Sequence, residues 1–125
     1  MSAELRGRRV LVVEDESLVA MLIETILEDL GGEAVGPMAS VDEALAFLAD
    51  GPAIDAALLD VNLAGRQVFP VAEVLQAAGV PFVFSTGYGE GGLPPPWRGR
   101  PTVQKPFTEA GLGAALQQAL GLTDR

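Results

Sequence analysis

The run Arg9–Val13 (RVLVV) is short and β-branched, which predicts a buried strand. Over Glu16–Leu30 the apolar residues Leu18, Leu22, Ile23, Ile26, Leu27 and Leu30 recur at helical spacing, and Gly31-Gly32 stops the helix. Ala34–Met38 reads as a weaker second strand. Ser40-Val41-Asp42-Glu43 has the form of a capping box, in which a hydroxyl and a carboxylate satisfy free amides at a helix start. It opens a second helix carrying Ala44, Leu45, Phe47 and Leu48, ending at Gly51-Pro52. Ala56–Leu59 is a third strand running into Asp60, and 62–66 reads as a loop. A third helix is expected over Val68–Ala78, with Pro70 confining its start to that neighbourhood, and Gly79-Val80-Pro81 breaks it. Phe82–Phe84 is a fourth strand. From Gly87 to Arg100 the chain is glycine-rich and carries Pro94-Pro95-Pro96, so no regular helix is placed there. Thr102–Gln104 is a fifth strand, and Thr108 caps a last helix that runs through Leu120.

Strand and helix therefore alternate five times, with the fourth helix short or irregular. That order implies an α/β fold whose parallel sheet is covered on both faces. Its length suits one domain over 1–125, with a core from about 8 to 121.

Composition narrows the chemistry. The net charge of −9 disfavours nucleic acid and anionic membrane surfaces as partners. No apolar run reaches the ~18–20 residues of a membrane span, and Val10–Val13 is too short for a secretory signal, so a cytoplasmic protein is expected. With neither cysteine nor histidine, thiolate and imidazole chemistry are excluded, as are Cys- and His-based metal sites. What remains is carboxylates, hydroxyls, a bound ion and Lys105, which is the only lysine.

Sites in open parallel sheets form at the carboxyl ends of the strands. The first strand delivers Glu14 and Asp15, the third Asp60, the fourth Ser85-Thr86-Gly87, and the fifth Gln104-Lys105-Pro106. Carboxylates gathered in one place repel unless a cation lies among them. An oxygen-only, highly charged donor set suits Mg²⁺. A carboxylate beside such an ion is also a competent nucleophile toward a phosphoryl group, and a nearby hydroxyl and ammonium would steady the charge. Each residue alone has a plainer reading: Glu14 and Asp15 as helix caps, Asp60 and Thr86 as strand-end turn residues, Lys105 as a surface lysine.

Four segments together, Val12-Val13-Glu14-Asp15-Glu16, Leu58-Leu59-Asp60-Val61-Asn62, Ser85-Thr86-Gly87 and Lys105-Pro106-Phe107, resemble the signatures of CheY-like response-regulator receiver domains. The resemblance covers nearly the whole chain in order and spacing. It implies a (βα)5 doubly wound fold with flavodoxin-like strand order 2-1-3-4-5. It implies Asp60 as phosphoacceptor, with Thr86 and Lys105 contacting the phosphoryl group. For the metal it implies Mg²⁺ held by Asp15, Asp60, the backbone carbonyl of Asn62 and, through water, Glu14. Phosphorylation and dephosphorylation would both occur on Asp60, without conventional turnover, and Asn62 and Tyr88 would flank the site and tune the rate of hydrolysis.

More narrowly, Pro81-Phe82-Val83-Phe84-Ser85-Thr86-Gly87 is similar to the PFxFATG receiver subgroup, with Ser85 in place of the usual alanine; Phe69-Pro70-Val71-Ala72 fits it too. That subgroup is typically stand-alone and paired with HWE-type or related histidine kinases. The implied protein is a monomer or weak dimer that takes phosphate from a histidine kinase or histidine phosphotransfer protein. It would act by protein contact or as a phosphate sink. Thr102 departs from the family, since most members carry an aromatic residue there that swings inward on activation. The segment Gly87–Arg100, with few apolar residues to pin it, is the expected switching element instead.

Two other functions stay open: a phosphorylation-independent binding module on this fold, and a phosphatase-like enzyme with an aspartyl nucleophile. Against the latter, Asp60 is followed by Val61-Asn62-Leu63 without a second aspartate, and the chain has no room for a cap. Gly87–Gly92 matches G-x-G-x-x-G, but the prolines beyond Leu93 oppose the helix a dinucleotide site requires. Trp97 is either a partner contact or a loop anchor. Val19 and Met21 beside the core stripe of the first helix are either a dimer face or buried in the monomer.

Overall fold

Five strands form the sheet; the three central ones bury both their faces, while the two at the edges are partly exposed. The five are β1 (Arg9–Val13), β2 (Glu33–Met38), β3 (Ala56–Asp60), β6 (Phe82–Thr86) and β7 (Thr102–Gln104). In the computed structural model, which describes residues 4–87 and 93–121, they pair in parallel in the order β2-β1-β3-β6-β7. Counting these main strands alone, that is the expected order 2-1-3-4-5. The reversal of direction at β1/β3 sets the strand ends of β1 and β3 at the switch point where such sheets bind ligands.

Helices α1 (Ser17–Asp29) and α4 (Glu109–Leu120) cover one face; α2 (Val41–Ala49) and α3 (Phe69–Ala77) cover the other. The first layer packs Val10, Val12, Leu58 and Val83 against Ile23, Leu27, Leu112 and Leu116. The second packs Leu11, Leu59, Phe82 and Phe84 against Val41, Val71 and Leu75. Alternation along each strand produces the two layers, since successive side chains point to opposite faces.

Caps set the helix starts. Ser40 Oγ accepts from the amide of Glu43 at 3.0 Å, while Glu43 Oε1 reaches back one residue further than the simplest capping box, to the amide of Ala39 at 2.9 Å. Thr108 Oγ1 accepts from the amide of Gly111 at 3.0 Å, and Gly121, in the left-handed region at φ 75°, ends α4. Pro70 occupies the first turn of α3, where its missing N–H costs nothing.

Four details correct the sequence reading. Packing begins at Leu5, fully buried and bonded through its amide to the carbonyl of Leu30, so the core starts earlier than residue 8. Residues 62–66, expected as a loop, contain a small antiparallel ladder: β4 (Asn62–Leu63) pairs with β5 (Arg66–Gln67). Its two-residue turn puts Ala64 at φ 49° and Gly65 at φ 90°, the backbone a tight hairpin demands, without the Asn-Gly signature that would have announced it. On α1, Leu18, Met21 and Leu22 are 81%, 60% and 45% exposed. The buried stripe is Ala20, Ile23, Ile26 and Leu27, so Leu18 and Leu22 lie on its flank and not in the core.

The fourth correction concerns the anchoring of 93–101, where the short, irregular helix expected is a 3₁₀ turn over Pro95–Trp97. Trp97 anchors it. The indole is 6% exposed, stacked on Phe69 at 6.0 Å between centroids and set edge-on to Phe82 and Phe84, both at 5.9 Å. The Arg100 guanidinium lies 5.0 Å from the Phe82 ring centre and 5.5 Å from that of Trp97. This half of the expected switching segment is therefore pinned by apolar contact, contrary to the sequence expectation.

Candidate functional site

The side chains at the strand ends converge. Glu14 and Asp60 are buried, 2% and 4% exposed. They stand next to each other because Val13 pairs with Leu59 in the β1–β3 register, one residue before each. Asp15 follows at the exposed start of the loop into α1, and its Oδ2 accepts from the amide of Ala64 at 3.2 Å. That bond ties the β4–β5 turn to the site. Neither acid caps α1 with its side chain in the manner of the plainer reading: Glu16 occupies the cap position, and its amide donates to Glu14 Oε2 at 3.1 Å.

Lys105, just past β7, projects between the two buried acids. Its Nζ lies 3.3 Å from Asp60 Oδ2 and 3.2 Å from Glu14 Oε1, with Glu16 Oε1 at 3.7 Å. Its hydrogen bonds go to Asp60 Oδ2 and to Glu14 Oε2, the latter at 3.5 Å; Glu14 Oε1 is off-axis and accepts none. The Lys105 amide donates to the carbonyl of Thr86 at 2.8 Å, which fixes the ends of β6 and β7 together at this point.

The electrostatics follow. Burial, and then the neighbouring Glu14 charge, raise the Asp60 carboxyl from an ordinary 3.8 to about 7, with Lys105 pulling the other way. Burial opposes the Lys105 ammonium, but Asp60 and then Glu14 outweigh it and hold its pKa above the usual lysine value.

The donor set fits a hard divalent cation. Carboxylate oxygens of Glu14, Asp15 and Asp60 all lie within 4.8 Å of one another, with no sulfur or nitrogen ligand among them. The raised carboxyl of Asp60, set by burial first and by the Glu14 charge second, marks a site whose charged form a cation would favour.

Comparison with known proteins agrees with this arrangement. SdrG from Sphingomonas melonis Fr1, solved in solution, is 47% identical over 96% of this chain and 98% of its own, with a TM-score of 0.82. The PhyR response regulator REC domain of Erythrobacter litoralis is 28% identical over 96% of this chain and 95% of its own, with a TM-score of 0.76. The chain belongs to the response-regulator receiver domains. No family model matches it. The phyllosphere-induced regulator PhyR of Methylorubrum extorquens is 32% identical over 117 residues, 89% of this chain. The receiver spans 43% of that relative's length.

Within this receiver the expected residues divide into two groups. Glu14, Asp15, Asp60 and Lys105 meet directly. Thr86, at the end of β6, and Asn62, at the exposed start of β4, stand at the rim. Tyr88 and most of the Gly87–Gly92 run lie outside the described residues. Thr102 is exposed, its hydroxyl donating to the carbonyl of Arg100 at 2.9 Å, and it sits beside Phe84 in the β6–β7 register. The rings packed against Phe84 are those of Phe69, Phe82 and Trp97.

Two features escaped the sequence reading. Glu16 joins the charges around Lys105, a contact set by the turn into α1. Ser85 is 1% exposed and placed opposite Asp60 in the β3–β6 register. Its position one residue before Thr86, on the other face of the strand, was the available signal.

Proposed function

We propose that this receiver accepts a phosphoryl group on Asp60 from a phosphohistidine of a partner histidine kinase or phosphotransfer protein. The observation that carries the reading is Lys105, the only lysine of the chain, inserted between the two buried acids at the strand ends. The Asp60 oxygen bonds to phosphorus as the phosphorus–nitrogen bond of the donor breaks, its electron pair leaving with the imidazole. On this reading Lys105 moves its ammonium from the carboxylate to the arriving phosphoryl oxygens, and Thr86, at the end of β6, contributes its hydroxyl to them. Mg²⁺ held by Asp15, Asp60, the Asn62 carbonyl and, through water, Glu14 would neutralise charge at the phosphoryl oxygens. The donor imidazole comes from another chain, since this one has no histidine.

Labelling by acetyl phosphate or by a phosphorylated kinase is expected to require Mg²⁺ and to fall to background in Asp60→Asn. Label retained by that variant would remove the assignment.

The surface beside the site suits a protein donor. A cleft of about 400 Å³ is lined by Val19, Leu22, Gly87, Lys105, Pro106 and Phe107, and α1 also exposes Leu18 and Met21. Leu22→Glu is expected to slow transfer from a phosphorylated kinase by about tenfold or more, because truncated or charged apolar anchors cost that much at interfaces. Acetyl phosphate, which needs no docking surface, should label this variant at the wild-type rate. Equal losses with both donors would place Leu22 in the chemistry or the fold and not in docking.

Exposed Thr102 favours a second reading, a binding module whose partner ignores the phosphorylation state. Partner affinity unchanged by Mg²⁺ with beryllofluoride would select it.

A further inference from the structure

Three of the described residues are both polar and buried: Glu14, Asp60 and Ser85. All three stand on one rung of the sheet. Asp60 pairs with Ser85, and the Val13–Leu59 pair carries Glu14 beside Asp60. Two residues earlier on each strand, Val12, Leu58 and Val83 all belong to the layer under α1 and α4. By strand alternation the side chains of Glu14, Asp60 and Ser85 point to that same face. Neighbouring strands lie about 4.8 Å apart, so the Ser85 hydroxyl borders the Asp60 carboxylate. Yet Ser85 Oγ has no hydrogen-bond partner among the described residues. A buried, unsatisfied hydroxyl is unfavourable, and alanine would fill the same space without that cost.

We infer that the Ser85 hydroxyl is a hydrogen-bond donor to the Asp60 carboxyl group in its phosphorylated form. The inference rests on Asp60 being the phosphoacceptor. At present Lys105 holds Asp60 Oδ2. A phosphoryl group bonded to Asp60 draws the ammonium to its own oxygens. The carboxyl oxygen that does not carry phosphorus then faces Ser85, the remaining buried donor on that rung. In hydrolysis a water oxygen bonds to phosphorus while the bond from phosphorus to the Asp60 oxygen breaks. The electron pair of that bond returns to the carboxylate, and both water protons leave with the phosphate as dihydrogen phosphate. Negative charge grows on the carboxylate as the bond breaks, so a hydroxyl donating to it favours the transition state over the acyl phosphate. Ser85 thus shortens the lifetime of the phosphorylated state.

The test follows decay of label after acetyl phosphate is removed, in wild type, Ser85→Ala, Ser85→Cys and Ser85→Thr, with amide spectra to establish that each keeps the fold. Decay in the alanine variant is expected to be roughly three- to tenfold slower, the scale of one ordinary hydrogen bond. The cysteine variant, a near-isostere with a weak donor, should be slow as well, which keeps the test intact should alanine disturb the fold. Threonine restores the hydroxyl and should return the lifetime close to wild type, which a packing effect would not do. Equal decay in wild type and the alanine and cysteine variants overturns the role of Ser85 while leaving Asp60 as acceptor. Wild-type protein that takes no label overturns both.

Discussion

Trp97→Ala is expected to destabilise the protein by about 3–5 kcal/mol, the range for deleting a large aromatic side chain from a packed core. The indole contacts three phenylalanine rings and the Arg100 guanidinium at once. Aromatic pairs of this offset and edge-on kind add to the area they bury. Removing it empties the space over Phe82 and Phe84, and β7 on the outer side is only three residues long, too short to close over the gap. It also releases the 3₁₀ turn and the segment before it, where Leu93 packs against the same core. A domain of this size has roughly 5–15 kcal/mol in total, so the loss is a large share of it. Urea titration should show the midpoint moving sharply with little change in slope, and Trp97→Phe should recover much of the difference. A shift below about 1 kcal/mol, the size of an ordinary surface substitution, would mean the ring is not the anchor the geometry makes it. The position also bears on signalling. Thr102 lies beside Phe84, where the family commonly places an aromatic, and Trp97 brings a ring to the same neighbourhood from a different segment.

The strands and most helices were legible because each carries its own signal. Arg9–Val13 and Thr102–Gln104 have the bounds the pattern predicts, and Ser40 and Thr108 cap the helices they announce. The meeting of Glu14, Asp15, Asp60 and Lys105 was legible too, since a parallel sheet carries every strand end to one edge. What stayed hidden depends on distant partners. Nothing local distinguishes Leu18 from Ile23; only the direction in which α1 packs makes one exposed and the other core. The short ladder at 62–67 holds two pairs, too few to show alternation, and Asp15 helps to fix its turn from 49 residues away. Trp97 sits among glycines and prolines that read as loop, and its burial comes from Phe69, Phe82 and Phe84, none of them adjacent in sequence. Ser85 read as one residue of a motif; its standing beside Asp60 is a matter of register, which a strand pattern does not supply.

Without divalent cation, the protein is expected to be more stable at pH 5 than at pH 8. Asp60 has a carboxyl raised from 3.8 to about 7 in the folded chain, by burial first and by the Glu14 charge second. The folded state therefore binds that proton more tightly than the unfolded state does. Stability linked to this group is fully present below the ordinary carboxylate pKa and is lost as pH rises through about 7. Between pH 5 and 8 the loss is on the order of 2–3 kcal/mol, at about 1.4 kcal/mol per pH unit over the part of the shift that range spans. Asp60→Asn has no carboxyl to ionise there, so it should lose most of this slope and exceed the wild type in stability at pH 8. Mg²⁺ should raise the wild type at pH 8 by binding the folded state alone, and raise the variant far less. Denaturant titrations at the two pH values, in EDTA and in Mg²⁺, read all of this. Wild-type stability that climbs from pH 5 to pH 8 in EDTA would mean that Lys105 dominates Asp60 and that the site is not strained by its own charge. The same shift acts on function. The carboxylate attacks phosphorus only when ionised, so labelling by acetyl phosphate at low Mg²⁺ should rise through about pH 7. Saturating Mg²⁺ should move that midpoint lower, because a cation among the acids favours the charged form.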